Sequence, residues 1–222
     1  MENKNKKNDI YKAVKDTIEG LSNSLEDSYT KAVLANLRNS IGKPYSETIK
    51  IWSIVFKGDS ANEFLGSEIK LKNGGKVILT TLQLYALHQQ GIRESVFTEY
   101  ESEKEGKSEN KTRRGNIGYP LKQLRKDNPS EEYNKSIDRR FNTMVTSETF
   151  DNLCYHLRHL IKILKSKCPN EKVNYAKLAE DLYWFSIGYE ENVRLEWARE
   201  YYRENFKRDE KKGEENNGKE NK

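Results

Sequence analysis

A chain of 222 residues can bury one core of ordinary size, so a single domain with at most a small appended lobe is expected. Only 34% of its residues are hydrophobic and 34% are charged, against averages of roughly 45–50% and 25%, so solvated segments are expected outside that core. The 40 basic residues exceed the 35 acidic ones by a net charge of only +5, which excludes an argument for a polyanionic partner from total charge and leaves the placement of charge to decide.

The polar start from Met1 to Asn8 is followed by no apolar run, so no signal peptide is expected, and no stretch approaches the ~20 apolar residues of a membrane helix. Cys154 and Cys168 fit neither a CxxC nor a metal-finger spacing and read as reduced thiols of a cytoplasmic protein. Residues 1–8 are expected to be disordered. From Asp9 to Leu21 the spacing of Ile10, Val14, Ile18 and Leu21 by three and four predicts a first helix with a narrow apolar face. Ser24 and Asp27 resemble a capping box opening a second helix, with Tyr29, Val33, Leu34, Leu37 and Ile41 inward and Gly42 and Pro44 as its stop. Lys31 and Arg38 lie seven apart on one side of that helix, with Lys43 just past its end.

A third helix is expected over Ser46 to Phe56 with Ile49, Trp52, Ile54 and Phe56, followed by a Ser60 and Glu63 cap for a short turn. Asn73-Gly74-Gly75 reads as a turn. A hairpin across it is disfavoured because Leu79, Leu82, Leu84, Ala86 and Leu87 keep helical spacing for too long to be a strand, closing at His88-Gln89-Gln90-Gly91. Residues 97–118, rich in Glu, Lys, Ser, Asn and Gly, read as a long polar loop whose charges cancel, with Arg113 and Arg114 where it returns to the fold. Tyr119 to Arg125 forms a short helix bearing Lys122 and Arg125.

Asn128-Pro129-Ser130-Glu131 is a helix start, and the helix it opens turns Tyr133, Ile137, Phe141 and Met144 inward with Arg139 and Arg140 to either side. The next stretch, Ser147 to Lys165, is the clearest two-faced element. Phe150, Leu153, Leu157, Leu160, Ile161 and Leu164 stack along one stripe, whereas Tyr155, Arg158, His159, Lys162 and Lys165 form a second, basic one. Between Asn134 and Lys167 seven Lys and Arg stand against three acids, so positive charge concentrates here. Asn174 caps a helix with Tyr175, Leu178, Ala179, Leu182 and Phe185, and a last helix from Val193 to Phe206 turns Trp197, Ala198, Tyr201 and Tyr202 inward. Residues 207–222 are a charge-mixed tail expected to be disordered. The reading is an all-α fold: a compact bundle of eight to nine helices over residues 9–206, as one domain or as two sub-bundles divided at the 97–118 loop.

No catalytic constellation is complete. Cys154, His156 and His159 do not share a helix face, no H-E-x-x-H is present, and the adjacent Glu180 and Asp181 diverge by about 100°, so neither a metal site, a cofactor nor an acid–base pair is expected. Basic residues on several helices, Lys31, Arg38, Arg139, Arg140, Arg158, Lys162 and Arg194, suit phosphate neutralisation on one face. Without a helix-turn-helix or an aromatic ribonucleoprotein pair, they would not read bases. The alternatives are an adaptor whose basic face binds acidic protein, an RNA-processing enzyme with a histidine base, and an ordinary solvated surface.

Ordered words in the chain carry a resemblance: Lys31-Ala32-Val33-Leu34-Ala35-Asn36-Leu37-Arg38 with Gly42-Lys43-Pro44, Tyr85-Ala86-Leu87-His88-Gln89, Arg139-Arg140-Phe141-Asn142, Tyr155-His156-Leu157-Arg158, Tyr175 to Leu182, and Leu195 to Tyr202. Over roughly residues 29 to 203 the series resembles the CasB family, the small subunit of the type I-E CRISPR Cascade complex. The resemblance implies an all-helical, non-catalytic protein that pairs with itself beside the other Cascade subunits. It further implies contacts to guide RNA and target DNA in the R-loop through a basic surface. Carried over by position, Arg38 and Lys43 match the family's first basic motif and Arg139, Arg140 and Arg158 its second. Phe141, Tyr155, Leu157, Leu178, Leu182, Trp197 and Tyr201 match core positions, and His88 is expected to cap a helix or touch a partner.

Overall fold

The computed structural model describes residues 2–48, 51, 73–99, 115–126 and 130–203. Within them the chain forms eight α-helices: α1 (Glu2–Ser22), α2 (Ser28–Asn39), α3 (Asn73–Gln89), α4 (Gly118–Lys126), α5 (Glu131–Val145), α6 (Phe150–Lys167), α7 (Tyr175–Ser186) and α8 (Glu190–Tyr202). A 3-10 turn at Tyr45–Thr48 follows α2. Among the described residues there is no sheet, and no helix is long and apolar enough to cross a membrane. The expected helix over Ser46 to Phe56 lies mostly outside these residues. So do the Ser60 cap, Arg113 and Arg114, Phe206, the 207–222 tail and most of the polar loop.

α3 is the axis of one half. It is apolar nearly all round, with Val77, Ile78, Leu79, Leu82, Leu84 and Tyr85 each at most 2% exposed, because α1, α2, α6 and α7 all pack against it. The other half joins α4, α5, α6 and α8. α6 and α7 touch both halves, and the buried apolar residues of all eight helices form one contiguous cluster. The α1 stripe of Ile10, Val14, Ile18 and Leu21 is buried as its spacing requires. A parallel bridge, Phe97 to Val173, ties the segment after α3 to the α6–α7 connection, with Val173 N–H donating to Val96 O at 2.9 Å.

Several local expectations change. α1 begins at Glu2, where Asp9 was expected. The Ser24 capping box does not form: Asp27 is the N-cap of α2 without a side-chain cap bond, and Ser24 Oγ instead donates to Gly20 O and pairs with Thr30 Oγ1. Shifting the start this way leaves Tyr29 outside the buried stripe, at 63% exposure. Asn73-Gly74-Gly75 is no turn but the first turn of α3, where Gly74 and Gly75 are buried. The cap of α5 is Ser130, accepting from Tyr133 N–H, so the helix itself opens at Glu131. α8 starts three residues early and ends at Tyr202, whose ring is 42% exposed; its hydroxyl donates to Asn142 Oδ1 at 2.8 Å.

Candidate nucleic-acid interface

α6 holds the site. Thr149 caps it by accepting from Asn152 N–H, and Asp151 in its first turn with Lys165 and Lys167 in its last suits the helix dipole. Leu153, Leu157, Leu160, Ile161 and Leu164 are each at most 1% exposed, a burial on the order of 1.5–3 kcal/mol per side chain. That anchorage fixes the opposite face. Tyr155 is 52% exposed, His156, Arg158, His159 and Lys165 are half-buried, and Lys162 is open to solvent.

Four groups converge on His159. Its proton affinity is lowered by burial first, then by Lys162, Arg158, His156 and Arg140, which places Arg140 of α5 in the same positive field as the α6 cations. Among the described residues, Arg139, Arg140, Arg158 and Lys162 form no ion pair. One turn further, Lys165 is lowered by its own burial and by Arg38 of α2, whose guanidinium donates to Ala86 O at 3.3 Å and is itself depressed by burial. Lys165 Nζ reaches a neutral acceptor, Gln90 Oε1, at 3.2 Å. A ridge of cations therefore runs Arg140, Arg158, Lys162, Lys165, Arg38, none of them in an ion pair among the described residues. Repulsion along such a ridge is relieved by an anion, which is the electrostatic condition for binding a phosphate chain.

Other expected site residues stand elsewhere. Arg139 is exposed but lies about 100° around α5 from Arg140. Lys31 pairs with Glu26 at 2.8 Å, an exposed ion pair of little strength, and Lys43 is exposed beyond the C-cap of α2. Lys122 is buried, only 7% exposed, and donates to Arg203 O, while Arg125 pairs with Asp138 at 3.0 Å and lies over the Tyr201 and Tyr202 rings. Arg194 pairs with Glu191, donates to Ser147 O at 2.6 Å and stacks over Phe185. These last three face protein groups and tie α4 and α8 to their neighbours.

His88 is also corrected. It is fully buried, with Nδ1 bonded to the Tyr175 hydroxyl at 2.9 Å, and burial together with Lys165 lowers its pKa to about 4. Tyr155, expected in the core, is on the surface. Phe141, Leu157, Leu178, Leu182, Trp197 and Tyr201 are core as expected. Two polar networks hold that core. Trp197 Nε1–H donates to Asp181 at 2.8 Å and Lys177 Nζ to the same carboxylate at 2.6 Å; burial opposes the Lys177 charge, but Asp181 and Glu180 outweigh it and hold the ammonium on. Tyr201 stacks on Phe141 at 3.7 Å and donates to Asp138 at 2.8 Å. Cys154 and Cys168 are free and buried, and no metal-sized cluster of His, Cys, Asp and Glu occurs among the described residues.

Residues 33–202 match the family described as CRISPR-associated protein Cse2. The chain belongs to the Cse2 family. Solved structures show the same all-helical fold: CasB from Thermobifida fusca at 22% identity and TM-score 0.61, covering 88% of this chain and 97% of that one. A Cse2 family protein from Thermus thermophilus follows at 17% and 0.56, covering 85% and 97%. CasB from M. ruber stands at 19% and 0.55, covering 84% and 93%. No curated protein matches the chain in sequence. The Cse2 match takes in Arg38, the α6 ridge and all of α7 and α8, and starts two residues after Lys31.

Proposed function

We propose that this Cse2 protein is the non-catalytic small subunit of an RNA-guided DNA-targeting Cascade complex in the cytoplasm. Paired with itself beside the other subunits, it steadies guide RNA and target DNA in the R-loop through sequence-independent backbone contacts. The observation that supports the reading is the α6 ridge, where Arg140, Arg158, Lys162, Lys165 and Arg38 gather without acidic partners among the described residues. R-loop formation exchanges one duplex for another of similar stability, so a few phosphate contacts are enough to tip it. Arg139, Lys43 and Lys31 are assigned a peripheral share, as exposed cations off the ridge; Lys122, Arg125 and Arg194 are assigned none.

The test assembles the complex with Arg140→Ala, Arg158→Ala and Lys162→Ala combined in this subunit. Helical content and assembly should stay as in the wild type, because all three lie off the buried stripes. Release of target DNA should accelerate on the order of 10-fold or more at physiological salt. Unchanged retention would remove the mechanism, and a nuclease activity lost with His156→Ala or His159→Ala would overturn the non-catalytic assignment.

A further inference from the structure

An exposed aromatic ring sits among the cations of the ridge. Tyr155 is 52% exposed and packs edge to face with His156 at 5.2 Å and His159 at 4.6 Å. On α6 it precedes Arg158 by three residues, His159 by four and Lys162 by seven, so ring and cations share one face within ~10 Å along the axis. Both imidazoles meet the ring edge to face. Half its surface remains open.

We propose that Tyr155 is a base-stacking platform, which makes this face hold unpaired nucleic acid more tightly than duplex. The inference rests on the nucleic-acid reading above and adds to it a preference that charge alone does not create. Phosphates of a single strand and of a duplex both satisfy Arg140, Arg158 and Lys162. Only the single strand can turn a base out onto a ring, whereas duplex bases are already stacked on each other. Base–aromatic stacking is sequence-tolerant, so the face still reads no sequence.

The test measures fluorescence-anisotropy affinities of the full chain at low salt for three probes of equal length: an oligo-dT single strand, a mixed-sequence duplex and an abasic single strand that keeps the phosphates. Tyr155→Ala should weaken the oligo-dT complex by about 10-fold or more, leave the duplex within about 2-fold, and make oligo-dT bind like the abasic strand. Tyr155→Phe should restore the wild-type value, since the ring and not the hydroxyl stacks. Equal losses on all three probes, or no loss with Tyr155→Ala while Arg158→Ala and Lys162→Ala weaken every probe, would overturn stacking and leave backbone binding standing. Failure of the wild type to bind any probe would overturn both.

Discussion

His88 shows how a single buried group couples this fold to pH. Its ring is enclosed at the end of α3, bonded to Tyr175 and faced by Lys165, and its pKa falls from 6.5 to about 4. Between those two values the unfolded chain binds a proton that the folded chain refuses, so stability drops as pH falls through 6.5 and levels off near 4. Between pH 7 and pH 5 the loss is about 2 kcal/mol, at 1.36 kcal/mol per unit. Urea unfolding at the two pH values should show it, and His88→Gln should flatten the dependence by about that amount; an equal dependence in the variant would show that other groups carry it. Sequence could not place this residue. A histidine at a helix end looks the same whether it faces solvent or a tyrosine 87 positions later, and the long-range bond decides. The same holds for Arg194 and Lys122, whose acceptors, Ser147 O and Arg203 O, are 47 and 81 residues distant.

Among the elements, α4 and α8 pack closely at Gly118. A Cβ on Gly118 would overlap Trp197 O, and Asn116 locks the corner by accepting from Gly118 N–H and donating to Glu196 O. Replacing a helical glycine by alanine usually stabilises by ~0.4–1 kcal/mol through the unfolded chain. Here the methyl meets a backbone carbonyl, which cannot rotate away, and overpacking costs typically ~1–3 kcal/mol. The clash should win: Gly118→Ala is expected to lower the thermal midpoint by several degrees, and a raised midpoint would mean the corner opens without cost. Periodicity revealed the helices themselves, because stripes such as Leu153, Leu157, Leu160, Ile161 and Leu164 need only local spacing. It misplaced the starts of α2 and α3, at Ser24 and Asn73, and that of α5, where Pro129 was expected inside the first turn and Ser130 is the cap. At each, two or three neighbouring residues compete for one position and packing chooses among them.

Across the whole molecule, charge separates into two populations that composition cannot distinguish. Lys177 pairs with two carboxylates of its own helix, whereas Arg125, Lys122 and Arg194 reach groups on neighbouring segments of the protein. Arg140, Arg158, Lys162, Lys165 and Arg38 line up on one ridge and form no ion pair among the described residues. The stripe on α6 was legible from its spacing; of Arg139 and Arg140, both expected on the basic face, only Arg140 acts on His159. The meeting of Arg38 with Lys165 was not legible, since only the packing of α2 and α6 around the end of α3 brings 38 and 165 together.

The most direct test of that ridge is the salt dependence of single-strand binding by the wild type and by the variant combining Arg140→Ala, Arg158→Ala and Lys162→Ala. Each phosphate contact contributes a slope of about −0.7 in log affinity against log salt, so losing three should flatten the slope by about 2. Such a flattening, with helical content unchanged, is the predicted result; an unchanged slope would contradict the assignment of these three cations to the nucleic-acid backbone.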